Sequence, residues 1–313
     1  TGFSGDKKLD TWFRATLDDD ATPDIVSRNL TIAGVQINAQ NDSANENLTL
    51  NFTNGASSFD LSYPNAAKII DLNFRLDSAP YDNTDFSEMA ASTQSFVAYP
   101  ERFQITAKSA GTDITGSSNS SSIKHKAGQT FDLELTAQCK APDGSFSTAS
   151  DYKPTNNTTS IMSYLQRIGP IDGDSADGDM PISASKILSS NQSAIMNWES
   201  SGLGPDDFNN GVYTYSGASF SEVGLTRLFF EGRDYFESGI NITENSINIG
   251  RFIPDHFNVL ITAGSLQPFC SLGSAPDFSY IGQTINYASA ALPSLTIQAR
   301  NTNDIITQNY TEP

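Results

Sequence analysis

The chain has little of what most catalytic and metal sites are built from. Two His and two Cys among 313 residues leave almost no material for zinc, haem or iron–sulfur chemistry. Lys and Arg number 18 against 36 Asp and Glu, a net charge of −18. A phosphate-backbone partner needs a Lys/Arg-rich face, so nucleic acid is excluded as a partner. No apolar run approaches the roughly 18 residues of a membrane span; the longest resemble Phe257–Ala263. The first residues, Thr1–Lys8, hold no hydrophobic signal region, so a secreted form takes its signal from outside this sequence. No glycine-rich loop sits at a strand–helix junction to cradle phosphate.

What is present points to β-structure. Aromatic residues make up 10% of the chain, enough to fill cores and to set it apart from a disordered acidic tail. Polarity comes from 92 Ser, Thr and Asn. Apolar and polar residues alternate in Leu48–Phe52, Ile69–Leu76, Phe131–Leu135 and Ser246–Ile249. Such period-two segments, split by Gly, Pro, Asn and Asp, are the pattern of half-buried antiparallel strands. Helical spacing is confined to Thr159–Ile168 and Ala184–Leu188, where a turn or two is expected. The expected fold is all-β, made of tandem immunoglobulin-like Greek-key β-sandwich modules.

The chain also repeats itself. Pro100-Glu-Arg-Phe103 recurs as Pro254-Asp-His-Phe257, and Gly128-Gln-Thr130 as Gly282-Gln-Thr284, both 154 residues on. Each Gly-Gln-Thr leads into a stretch ending in a Tyr, Tyr152 or Tyr310. Tyr63-Pro-Asn-Ala-Ala67 and the strand after it correspond to Phe220-Ser-Glu-Val-Gly224 and its strand at an offset of 157. Two equal offsets from separate motifs mark a true repeat. They divide the chain into 1–100, a module that is short or lacks its start; 101–250, a full module; and 251–313, the opening of a third. Proline suits the first residue of a strand, so Pro100 and Pro254 fit module junctions, with Phe103 and Phe257 plugging the following cores. Tyr152 and Tyr310 are expected to fasten turns from buried positions, and Trp12 and Trp198 to be core residues. The third segment is expected to need the module before it, or a neighbouring chain, for order.

Candidate chemistry is sparse. Asp172, Asp174, Asp177 and Asp179, with Gly173 and Gly178 between them, could gather carboxylate oxygens around calcium. The spacing is not that of an EF-hand, and a solvated acidic loop is the alternative. Asp18–Asp20 with Asp24 is a weaker version. Tyr213 and Tyr215 share one strand face, which suits either stacking on sugar rings or one buried face of a sandwich. His125, between Lys124 and Lys126, reads as an exposed loop residue, and His256 lies where the other repeat copy has Arg102. Neither His is placed for nucleophilic catalysis. Cys139 and Cys270 stand 131 residues apart, which neither requires nor forbids a disulfide.

Taken together, Phe220–Gly224, Arg233-Asp-Tyr235, Ile249–Phe257, Phe278–Thr284, Ile297–Asn301 and Thr307–Tyr310 resemble, in order, the signature of MshQ-type proteins. These are encoded with the mannose-sensitive haemagglutinin (MSHA) type IV pilus of Gram-negative bacteria. The resemblance spans roughly residues 60–313 and is most specific over 220–310. It implies a non-enzymatic extracellular or cell-surface protein, a piece of a longer secreted chain. The function implied is adhesion or pilus biogenesis, with pilus or other surface proteins and glycans as partners. It brings no catalytic residues. A set of carbohydrate-binding modules, assisted by calcium, is the alternative reading.

Overall fold

The computed structural model describes residues 3–18, 22–39, 47–76, 89–118, 122–155, 160–171, 176–192, 196–268 and 278–310. Apart from two short 3-10 turns, the regular structure is all strand. No described helix is long and apolar enough to cross a membrane.

Eight strands precede Pro100: β1 (Gly5–Thr16), β2 (Leu30–Ile32), β3 (Val35–Ile37), β4 (Leu48–Phe52), β5 (Leu61–Ser62), β6 (Ala67–Leu76), β7 (Met89–Ser92) and β8 (Phe96–Ala98). They form one sheet in the order β4-β1-β6-β7, with β8 also on β6, and a small sheet β3-β2-β5. Alternation along β1 and β4 turns Leu9, Phe13, Leu48 and Leu50 inward, where they meet Leu30, Ile32 and Ile37 in one apolar core.

The strand pair that begins at Pro100 is β9 (Arg102–Ser109) and β12 (Phe131–Lys140), accompanied by β10 (Thr112–Asp113), β11 (His125–Lys126) and β13 (Phe146–Thr148). Next come β14 (Ile161–Gly169), β15 (Asp179–Pro181), β16 (Ile187–Ser189), β17 (Glu199–Ser200), β18 (Val212–Ala218), β19 (Gly224–Gly232) and β20 (Ile242–Ile253). One hydrogen-bonded sheet runs β13-β12-β9-β20-β19-β14-β17. It folds over a second core in which Phe103, Ile105, Leu133 and Leu135 of the β9–β12 pair meet Ile161, Leu165, Leu228 and Phe230 of the opposite layer. This is an all-β sandwich.

The sheet β4-β1-β6-β7 has the same strand order as β17-β14-β19-β20, while the smaller strands differ, since β5 pairs with β2 but β18 pairs with β12. β1 pairs with β4 and β6 as β14 pairs with β17 and β19. Cross-strand Phe13–Leu72 corresponds to Leu165–Leu228. The β6 partners β7 and β8 correspond to the two halves of β20. After Pro254 the strand pair returns as β21 (His256–Thr262) and β24 (Ser294–Arg300), with the short β22 (Leu266–Gln267) and β23 (Asn286–Tyr287) between them. The order along the chain is therefore sheet layer, strand pair, sheet layer, strand pair.

Several expectations are corrected. Residues 161–169 and 187–189 are strands, not helical turns. Ile161, Tyr164, Leu165 and Ile168 mimic a helical face only because β14 carries large apolar residues on both of its sides. His125 is buried, its ring edge-on to Phe131 and Phe252 and its Nε2 beside the Gln129 and Thr130 carbonyls. Trp12 and Trp198 are half-buried on outer sheet faces. Arg75 covers the first, and Tyr164, Phe229 and Arg233 surround the second. Tyr152 is buried but Tyr310 is not. The Gly-Gln-Thr repeat does not carry the register forward. Gly128-Gln-Thr runs straight into β12, whereas Gly282-Gln-Thr runs into the two-residue β23. The partner of β21 starts later: Arg102 pairs with Gln138, but His256 pairs with Arg300, an offset of 162.

Candidate functional site

Of the four acidic positions, Asp172 and Asp174 lie outside the described residues. Asp177 sits 3.6 Å from the buried Arg167 guanidinium, and Asp179 accepts a 2.6 Å hydrogen bond from the Ser189 hydroxyl. Among the described residues no group of three or more His, Cys, Asp or Glu is placed to hold a metal. Tyr213 is buried and donates its hydroxyl to the Ile182 carbonyl at 2.7 Å, so it offers no free ring face; Tyr215 packs half-buried on the same core. Cys139 is buried, and burial pushes its thiol up to about 11; Cys270 lies outside the described residues. His256 is exposed between Asp255 and Asp304, at 2.9 and 3.3 Å.

Three features that the acidic loop did not announce stand out. The first is a clasp that occurs twice. The side-chain oxygen of Asn65, just before β6, accepts the backbone N–H of Asp151 at 2.9 Å. At the equivalent place before β19, the Glu222 carboxylate accepts the backbone N–H groups of Gln308 and Asn309 at 3.1 and 3.2 Å. Asp151 and Asn309 each stand immediately before the repeat tyrosine. Each also reaches back to the preceding layer. Asp151 Oδ2 accepts from the Ser27 N–H at 2.7 Å. Asn309 Oδ1 accepts from the Ala176 N–H at 2.6 Å, and its amide donates to the Ala176 carbonyl at 2.8 Å. Asn65, Glu222 and Asn309 are all buried. In a buried place an unanswered backbone N–H is expensive, so either acceptor type serves as long as it reaches the turn. In the second clasp Asn301 adds a bond to the Ser221 carbonyl at 3.0 Å, and the Thr302 N–H bonds the Ala127 carbonyl at 3.0 Å.

The second feature is an uncovered sheet face. In register, Phe257–Ala299, Val259–Ile297 and Ile261–Leu295 occupy the places of Phe103–Ala137, Ile105–Leu135 and Ala107–Leu133. Even the aromatic contact is kept: Phe103–Tyr152 centroids are 5.7 Å apart at 68°, and Phe257–Tyr310 centroids 5.6 Å apart at 62°. The surroundings differ. In β9 and β12 these six residues are 0–7% exposed, whereas Phe257, Val259, Ile261, Leu295 and Ile297 are 51–77% exposed.

The third is an apolar cleft of about 490 Å³ on the β4-β1-β6-β7 sheet, lined in part by Phe3, Leu50, Phe52, Phe59, Phe74 and Met89. With too few polar groups to orient a small polar substrate, it suits an apolar protein surface better than a reaction centre.

Residues 222–313 match a family model described as DUF6701, third domain. The matched segment starts at the clasp residue Glu222 and runs through β19, β20 and the open strand pair. No curated protein matches, and neither does any solved structure.

Proposed function

We propose that this chain is a run of β-sandwich modules, 1–100, 101–250 and 251–313, in a non-enzymatic cell-surface protein of the MshQ type. Its place is outside a Gram-negative cell, and its role is adhesion or assembly of the MSHA pilus, with pilus or other surface proteins, or glycans, as partners. The observation that carries the reading is the double clasp. A side chain at the start of one module's strand takes the turn N–H of the next, twice, at matching positions. That is how a chain would be fastened if its task were to set modules in series rather than to enclose a substrate. The high negative charge agrees with a surface bathed in salt, where the Debye length is short. Small-angle scattering of the 313-residue chain should give an elongated particle, its maximum dimension well above that of a sphere of equal mass. A compact particle would overturn the serial arrangement. Proteolytic shaving of intact cells should release the protein, and protection of the protein inside the cell would overturn the location.

A further inference from the structure

We propose that Arg167 and Thr226, inside the closed sandwich, hold a small monovalent anion of the halide type. The inference does not depend on the reading of the chain as modules in series.

Alternation along β14 puts Arg167 on the same side as Ile161 and Leu165, and alternation along β19 puts Thr226 on the side of Leu228 and Phe230. That side is the core. The two residues are cross-strand partners, so their Cβ atoms stand about 5 Å apart. They are 6% and 0% exposed. Arg167 Nε and Thr226 Oγ1 are both shut from solvent and without a hydrogen-bond partner. Six buried side-chain atoms among the described residues share that condition, and only these two belong to residues that face each other across a ladder.

The fold does not demand a charge in this place. Two residues after Phe13, the counterpart of Leu165, the first layer has Ala15 opposite Ile69, both fully buried. A guanidinium is costly to bury unless its charge is answered. The terminal nitrogens of Arg167 meet the Ala176 carbonyl at 2.5 Å and the Gln192 side-chain oxygen at 3.3 Å, both neutral acceptors. The one carboxylate paired with it among the described residues, Asp177, lies at 3.6 Å, outside hydrogen-bond distance, and is itself half exposed. Positive charge is therefore left over beside a second free donor, the Thr226 hydroxyl.

The chemistry of the two groups selects the ligand. The Arg167 Nε–H can only donate, and the Thr226 hydroxyl can donate toward the same point. A water between them would bring two hydrogens of its own to a place whose inner-face neighbours, Leu165, Leu228 and Ile249, are apolar. A halide accepts from both donors, brings no hydrogen and supplies the missing negative charge. A carboxylate or phosphate has several oxygens to satisfy, which one guanidinium edge and one fully buried hydroxyl do not do.

Chloride is the probe, exchanged for gluconate at constant ionic strength from about 1 to 300 mM, so that screening stays fixed. The wild-type melting temperature should rise with the logarithm of chloride concentration, and bromide should act in the same way. Thr226→Val keeps the shape of the side chain, removes the hydroxyl and should lose most of that rise. Asp177→Asn removes the competing carboxylate at an exposed position and should tighten chloride binding roughly two- to fivefold. If Thr226→Val melts too early to compare, chloride NMR line broadening below its melting temperature replaces the melt, expected in the wild type and lost in the variant. Melts that do not change when chloride replaces gluconate overturn the proposal. So does an equal chloride response in wild type and Thr226→Val, which would mean a general salt effect, or binding that is unchanged or weaker in Asp177→Asn.

Discussion

Phe103 and Phe257 hold the same place in two copies of one strand pair. They stand in the same register, each cross-strand from an alanine and edge-on to its own repeat tyrosine, Tyr152 or Tyr310. One ring is fully buried and the other is more than half exposed. Local sequence is therefore enough to build the pair, but burial comes from the layer laid over it. The comparison separates two contributions usually fused in a β-protein: the ladder, which both pairs possess, and the apolar contact, which only one receives.

The largest expected effect breaks that comparison directly. Phe103→Ala should cost about 3–5 kcal/mol in denaturant unfolding, the usual range for deleting a buried aromatic ring. Phe257→Ala should stay within about 0.5 kcal/mol, as for an exposed substitution. Equal losses would mean that the β21–β24 face is covered in solution.

A smaller effect is expected at the clasps. Glu222→Ala removes the acceptor of two backbone N–H groups and should cost about 1–3 kcal/mol. Hydrogen exchange should then rise at Gln308 and Asn309. Glu222→Gln, which keeps an acceptor oxygen, should restore most of the protection. Asn65→Ala should act in the same way on Asp151. If exchange at 308 and 309 is unmoved by Glu222→Ala, the turn is held by Asn309 alone.

The smallest effect separates the two sheet layers by pH. Asp71 faces Arg14 across β1 and β6, whereas the equivalent cross-strand pair is Gln166–Arg227. The Arg14 hydrogen bonds hold the Asp71 carboxyl below its ordinary range against the opposing pull of burial, with Asn73 helping. A depressed carboxyl stabilises the fold above its unfolded value, near 3.9, and that contribution is lost as pH falls through the lower folded value. Thermal melts of the wild type should therefore drop more between pH 5 and 2 than those of Asp71→Asn, by a modest margin because Arg14 is half exposed. Parallel pH curves would show that this pair carries no net stability.

Much of the fold was legible in the sequence. Alternation located β4, β6, β12 and β20. Because proline at a strand start leaves a fixed signature, the Pro-x-x-Phe offset located the first strand of each pair, β9 and β21, but not their partners. The Gly-Gln-Thr offset misled beyond its own turn: Gly128 and Gly282 both adopt a positive φ, but the segment after the second is longer before the pairing strand begins. His125 was hidden because its charged neighbours point outward from a two-residue strand while its ring turns in between two phenylalanines. The clasp left no pattern to read. Asn65 and Glu222 differ in charge and length, and the groups they hold are backbone N–H, which every residue but proline offers. The acidic run drew attention by composition, yet its two described carboxylates spend their oxygens near Arg167 and on Ser189.

The short connection between β20 and β21 has a mechanical consequence. Only Pro254 and Asp255 separate Ile253 from His256, and Lys126 grips Asp255 at 2.8 Å. A pull along the polypeptide would pass from one strand into the next with almost no slack to absorb it. The clasp at Glu222, anchored to residues 86 and 87 positions further on, would then bear load as a brace beside that connection, resisting bending at the joint rather than stretching along it.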